Sequence, residues 1–235
     1  MEQSPGAYDA QLDDPVWHAL TGPHRRFAEC SGDTCWYPSE MAPFIAVPHA
    51  DVVPDLTAAA RRGLRDPVYV VGTIPTAIPD GWDVIARSHI LQLLPTAADP
   101  GPDAEDGIQE LRVDDAPRMV ALMHIAFPEF FRERAPELGE YLGICDGTRL
   151  VAMAGERLAL EGWQEISGVC THPDFVGRGY ARRLTQALLR RQRRRGVRSF
   201  LHVSEANAVA RRLYESLGFV VRAALPIAKI GRRLP

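Results

Sequence analysis

Glu165-Ile-Ser-Gly-Val-Cys-Thr-His-Pro-Asp-Phe-Val-Gly-Arg-Gly-Tyr-Ala-Arg-Arg-Leu184 is the stretch that decides how the rest of the chain is organised. Gln164–Thr171 predicts a strand and His172-Pro173-Asp174 a tight turn. A glycine-bearing loop then opens a long helix from about Gly179 to Arg195, ended by Gly196. The backbone N–H groups from about Gly177 to Ala181 lie at the positive end of that helix, where phosphate or pyrophosphate binds. Gly177 and Gly179 let the backbone approach such a ligand closely. No Gly-Lys-Ser/Thr follows, so the loop is not a Walker loop. The strands upstream form hairpins rather than a βαβ start, so it is not a dinucleotide fingerprint either.

Working outward, Tyr141–Cys145 and Leu150–Leu158 predict strands joined at Asp146-Gly147, a strong hairpin signal, and Glu161-Gly162 marks a second turn. Upstream, Ile108–Val113 alternates as a strand. Asp114 or Asp115 caps a helix with Met119, Leu122 and Met123 on one face, and a short helix follows around Phe130–Arg134. Downstream, strand Val197–Val203 leads into helix Asn207–Leu217, which stops at Gly218, and a last strand runs from Phe219 to about Arg222. The sum is an α/β (α+β) sandwich with a mixed central sheet flanked by helices.

Residues 95–106 hold three prolines, a glycine and acids, with no apolar residue larger than alanine. They predict a linker between a first domain, 1–94, and a second, 107–235. The first domain reads as a small, loop-rich α+β unit. It has a helical Asp55–Arg65 and short strands at Phe44–Val47, Val68–Val71, Trp82–Ala86 and Ile90–Leu94. His18, His24 and His49 read as loop histidines rather than metal ligands.

Charge follows the same division. Of 27 basic residues 26 are Arg, and Lys229 is the only lysine. Residues 1–106 carry 16 acids against 6 Arg, a net of −10, and residues 107–235 carry 14 acids against 21 basic residues, a net of +7. Phe175–Ser204 holds nine Arg and no acid, which suits an anionic ligand. No apolar run is long enough to span a membrane, and no signal-peptide pattern opens the chain, so a cytoplasmic location is expected. Four cysteines make no disulfide framework, and all four are expected reduced, with no metal site. The basic run Gln192–Arg198 interrupts a helix–strand unit and lacks interleaved aromatics, so nucleic-acid binding is not expected.

Two motifs resemble the GNAT N-acetyltransferase superfamily. Its acyl-CoA signature, Gln/Arg-x-x-Gly-x-Gly/Ala, is matched by Gly179 and Ala181. Val176 stands in the first slot, and Arg178 supplies charge nearby. The second motif, Asn-x-x-Ala-x-x-x-Tyr-x-x-x-Gly-Phe, is matched by Asn207, Ala210, Tyr214, Gly218 and Phe219. The resemblance covers about residues 107–222. Cys170-Thr-His-Pro-Asp174 and the divergent first half also resemble a tandem subgroup with a degenerate GNAT-like N-terminal unit.

The resemblance implies the acyl-CoA N-acyltransferase fold, with acetyl-CoA as co-substrate and no metal. Acetyl-CoA would lie where strand 164–171 splays from strand 197–203. Pantetheine would pair with Val169, Cys170 and Thr171 as an added strand, and the Val169 N–H would stabilise an oxyanion. The pyrophosphate would sit on Val176, Gly177, Arg178, Gly179, Tyr180 and Ala181, with Arg182 and Arg183 close by. Asn207 would cap its helix or bond the CoA chain. The acceptor would be a small-molecule or peptide amine bounded by residues around His124–Gly139, which offer Phe127, Phe130, Phe131, Glu129, Glu133 and Glu137. A homodimer is compatible with all of this.

Two proton transfers are required. An amine of pKa near ~10.4 costs roughly 4–5 kcal/mol to deprotonate at pH 7. Glu165 matches the superfamily's strand glutamate as base, acting through water, with Glu156 as second candidate and His172 and His202 as weaker ones. Tyr214 matches the general acid that protonates the departing thiolate. A noncatalytic acyl-CoA-binding or regulatory module is the alternative function. Arg190 to Arg195 lie roughly 17–24 Å beyond Gly179 at ~1.5 Å per residue, so they are expected to be solvated surface rather than phosphate ligands.

Overall fold

The structure is a computed structural model and describes residues 9–96, 105–126 and 131–233. Residues 97–104 of the expected linker, and Phe127, Glu129 and Phe130 of the expected acceptor wall, lie outside the described residues.

In chain order the elements are α1 (Pro15–Thr21), β1 (Glu29–Ser31), β2 (Thr34–Trp36), β3 (Ile45–Ala46), α2 (Leu56–Arg61), β4 (Val68–Val71) and β5 (Trp82–Pro95). There follow β6 (Ile108–Leu111), α3 (Ala116–Ala126), β7 (Tyr141–Asp146), β8 (Arg149–Leu160), β9 (Trp163–Thr171), α4 (Tyr180–Arg194), β10 (Arg198–Ser204), α5 (Ala208–Glu215) and β11 (Phe219–Arg232). A capping carboxylate starts α2, where Asp55 Oδ1 accepts from the Ala58 N–H at 2.9 Å. Asn207 does the same for α5, with Oδ1 accepting from the Ala210 N–H at 3.0 Å. The expected helix around 130–134 is absent over the described residues 131–134. A 3-10 turn at Ala135–Leu138 takes its place, opened by Pro136 near its start.

β1, β2 and β3 form a small sheet, and the other eight strands form one sheet in the order β4-β11-β5-β10-β9-β8-β7-β6. Among the described strands of that sheet, β9 and β10 are the one parallel pair. The residues before the linker therefore supply two strands to the main sheet. β5 is one continuous strand rather than the two short ones expected, and it lies between β10 and β11. β11 is far longer than expected because it pairs with β5 along its whole length and then with β4.

Strand alternation sends side chains to opposite faces. On one face, Leu184 and Leu188 of α4 and Tyr214 of α5 pack on Leu142, Ile166 and Leu201. On the other, Val16 and Leu20 of α1 with Tyr37 cover Phe200 and Trp163, while Met119, Leu122 and Met123 of α3 cover Tyr141 and Met153.

The four cysteines are not all reduced. A two-residue turn at Gly32-Asp33 sets Cys30 and Cys35 directly opposite in β1 and β2, and they form a disulfide. Cys145 and Cys170 are free thiols.

The Tyr141 ring occupies the place of a side chain at Gly155 on the neighbouring β8, so a Cβ there would overlap the ring. Gly155→Ala is expected to lower stability by about 1–3 kcal/mol, as overpacking does. Urea melts at neutral pH check this, and an unchanged midpoint would contradict it.

Candidate active site

β9 and β10 pair in register from Trp163 with Arg198 to Ile166 with Leu201, and there the pairing stops. β10 stays in the sheet by pairing with β5 through Ser204. β9 stays in it by pairing with β8 through Thr171, after a bulge between Ser167 and Cys170. Gly168 supplies the left-handed conformation this bulge needs, at φ 62°. The two parallel strands thus part into a cleft, and the inner edge of Ser167–Thr171 keeps no strand partner.

The cleft leads into the loop before α4. Gly177 and Gly179 hold φ of 84° and 76°, and a Cβ at either would meet nothing within 4 Å. Glycine is therefore required by conformation, and the space beside it is open. The first helical bond runs from the Arg183 N–H to the Gly179 carbonyl at 3.1 Å, so the preceding amides have no helical acceptor. The edge, the open loop and the free amides fit the pantetheine and pyrophosphate of acetyl-CoA.

The three arginines nearest the loop are already engaged. Arg178 stacks on Phe175 at 4.6 Å. Arg182 donates to the Ser216 hydroxyl at 2.5 Å, and Arg183 donates to the Asp106 carbonyl. Val176 is exposed.

The arginines at the far end of α4 are not merely solvated surface. Arg191 bonds Glu105 at 2.6 Å, Glu110 at 2.7 Å and also Glu140, and this acid cluster raises its pKa. Arg195 bonds Glu156, and Arg190 is buried. The run ties α4 to β6, β8 and the turn before β7.

This network also holds Glu156. It is buried and accepts from Gln192 at 2.9 Å and from the Glu140 N–H at 3.1 Å. His172 serves the turn: its Nδ1 accepts from the Asp174 N–H at 3.2 Å, and its Nε2 faces Arg149 at 2.5 Å.

Glu165 is fully buried. Oε1 accepts from Arg157 Nη2 at 2.6 Å and lies 2.8 Å from His202 Nδ1. Oε2 accepts from Arg157 Nε at 2.9 Å and from the Leu158 N–H at 3.2 Å. Four donors fill the four lone-pair positions of the carboxylate. Burial opposes its charge, but Arg157 and His202 outweigh burial and hold its pKa down at about 2. The expectation of Glu165 as the base is corrected accordingly. A carboxylate so acidic and so fully bonded takes a proton only by giving up a donor.

The orientation of His202 can be traced through its neighbours. Arg222 donates to Gln92 Oε1 at 2.9 Å, which turns Gln92 Nε2 toward the Leu12 carbonyl at 2.8 Å and His202 Nε2 at 3.1 Å. His202 Nε2 is then the acceptor, and its ring proton lies on Nδ1, toward Glu165.

Tyr214 stands on α5 with its ring edge-on to Phe219 at 5.8 Å. Burial, with a smaller push from the charge of Glu165, raises its pKa to about 12, so the phenol stays protonated at neutral pH. Burial also pushes the Cys170 thiol up to about 12, so it is no nucleophile. Among the described residues no group of three or more His, Cys, Asp or Glu could hold a metal ion, and no helix is long and apolar enough to cross a membrane.

Arg157, Gln92 and Tyr141 escaped the sequence reading. Arg157 lies four residues before the Glu161-Gly162 turn and Glu165 three after it, and the register shift between Glu156 and Ala159 brings the two together. Gln92 had no local signal.

A cleft between two parting parallel strands, closed at one end by a glycine loop and helix start, is the arrangement that the sequence motifs led us to expect. Residues 141–225 match the FR47-like protein family. A protein of the GNAT acetyltransferase family from Novosphingobium aromaticivorans is 34% identical over 96% of this chain and 100% of its own, with a TM-score of 0.84. A GCN5-related N-acetyltransferase from Kribbella flavida shares the fold at 17% identity over 99% of this chain and 98% of its own, with a TM-score of 0.59. No curated protein matches. The chain belongs to the GNAT acetyltransferase family.

Because the Glu165 pKa is depressed, its pairing contributes stability that is complete above about pH 4.5 and is lost as pH falls toward about 2. Glu165→Gln leaves the Arg157 guanidinium unpaired and should cost about 3 kcal/mol at neutral pH, the low end for a broken buried pair because Arg157 keeps some solvent contact. It should also flatten the stability change over that acid window in urea melts. A variant as stable as the parent with the same acid profile would contradict the role given to this pair.

Proposed function

We propose that this chain moves an acetyl group from acetyl-CoA to an amine by direct attack. The observation that carries it is the parting of β9 from β10 beyond Ile166 and Leu201, which leaves an unpaired strand edge running into the glycine loop of α4. Val169, Cys170 and Thr171 take pantetheine along that edge as an added strand, and the amides from Gly177 to Ala181 take the pyrophosphate, the Val176 N–H being held by the Pro173 carbonyl at 3.3 Å. Arg182, tied to Ser216, braces the start of α4 against the end of α5, while Asn207 fixes the start of α5. Acetyl-CoA supplies the activated thioester.

The Val169 N–H faces the carbonyl oxygen on which charge develops. Tyr214 presents a protonated phenol to the departing sulfur. The attacking amine forms the new C–N bond as the C–S bond breaks. The sulfur takes its proton from Tyr214, the amine's surplus proton passes to water, and water returns a proton to the Tyr214 phenolate. Glu165 stays an anion and holds β8, β9 and β10 together beneath the cleft.

The filled coordination of Glu165 is the one observation that favours a noncatalytic acyl-CoA-binding module. Both readings predict acetyl-CoA binding in calorimetry. Only the enzyme releases CoA with a panel of primary amines, and no release above hydrolysis would decide for the module. Tyr214→Phe should keep acetyl-CoA binding and lower turnover by roughly 100-fold or more, the scale of general-acid catalysis. Full turnover in that variant would remove Tyr214 from its role.

A further inference from the structure

Beside the bulge of β9 stand two aromatic rings that the transfer step above does not use. A Cβ at Gly168 would lie 3.3 Å from Tyr141 Cε1, 3.9 Å from the Tyr141 hydroxyl and 3.9 Å from Phe131 Cε2. The two rings meet edge to face, 5.7 Å between centroids and 82° between planes. Tyr141 is seated by Gly155, so its position is fixed from below. The residue is only 3% exposed, yet its hydroxyl has no hydrogen-bond partner among the described residues. A lone hydroxyl held beside the proposed acetyl position is a hydrogen-bonding group without its ligand.

The nearby charges narrow what that ligand is. The carboxylate of Glu165 is neutralised by Arg157. Glu137 is paired with Arg134 at 2.6 Å, and Glu140 with Arg191. These acids are committed within the protein, which leaves Glu133 as the one described acid of the expected acceptor wall open to a cation.

We infer that Tyr141 and Phe131 form the acceptor wall: the Tyr141 hydroxyl accepts a hydrogen bond from the attacking primary amine, and the Phe131 ring packs on an apolar or aromatic group carried by that amine. The inference rests on the acetyl-transfer reading above. Tyr141 keeps its own proton throughout. It orients the nitrogen lone pair toward the acetyl carbon, and the proton balance of the transfer is unchanged.

The test compares 2-phenylethylamine with spermidine as acceptors, following CoA release, and measures acetyl-CoA binding by calorimetry. The parent protein should use 2-phenylethylamine at least about 10-fold better in kcat/KM, the scale of burying an apolar group in a pocket. Tyr141→Phe keeps the ring on Gly155, so its melting temperature and its acetyl-CoA Kd should stay unchanged. Its kcat/KM for 2-phenylethylamine should fall roughly 10- to 100-fold, the scale of a hydrogen bond to a charged or charging group. Phe131→Ala should erase the preference between the two amines while retaining turnover. Turnover by Tyr141→Phe within twofold of the parent, or a preference for spermidine, would overturn the inference and leave the acetyl-transfer reading standing. A parent protein that neither binds acetyl-CoA nor releases CoA with either amine would overturn both.

Discussion

A strand edge stripped of its sheet partner presents a row of unpaired N–H and C=O groups to whatever enters beside it, and the inner edge of Ser167–Thr171 is such a row. The fold creates that edge and holds it open. β10 is held in the sheet on its far side by β5, and β9 on its far side by β8, so neither strand depends on the other beyond Leu201. The bulge at Gly168 turns β9 away from its parallel neighbour. Below the parting, the two strands are tied by Glu165, which joins Arg157 of β8 to His202 of β10. The cleft is the place where this crosslink ends.

That arrangement explains why the first ninety-odd residues are part of the site's support. β5 occupies the flank of β10, and Gln92 on β5 fixes the ring of His202. Phe44 lies under the Arg157 guanidinium at 4.9 Å. The loop-rich half covers one face of the sheet and steadies the charged crosslink, while α4 and α5 on the opposite face bear the loop and the phenol of Tyr214.

The parts of the site legible in the sequence were local ones. A strand, a tight turn, two glycines and an amphipathic helix are written within twenty consecutive residues, and the positive φ at Gly177 and Gly179 is a constraint that residue type reveals. What could not be read depended on partners distant in the chain. Nothing around Trp82–Pro95 announces that it lies between β10 and β11, because pairing across more than a hundred residues leaves no local period. Helical angle alone sent the arginines of α4 to solvent, whereas Glu105, Glu110, Glu140 and Glu156 come from other elements to meet them. Glu165 was recognised by position, but its chemistry is set by four donors that position does not show. The Cys30–Cys35 disulfide was missed although its hairpin turn was short enough to predict their register.

The central claim is that the open strand edge and the glycine loop are one continuous backbone site for acetyl-CoA. Amide hydrogen exchange with and without acetyl-CoA tests it most directly. The account predicts that peptides spanning Ser167–Thr171 and Val176–Arg182 gain protection together while the β5–β11 ribbon does not change. Saturating acetyl-CoA that leaves exchange in both segments unaltered would contradict it.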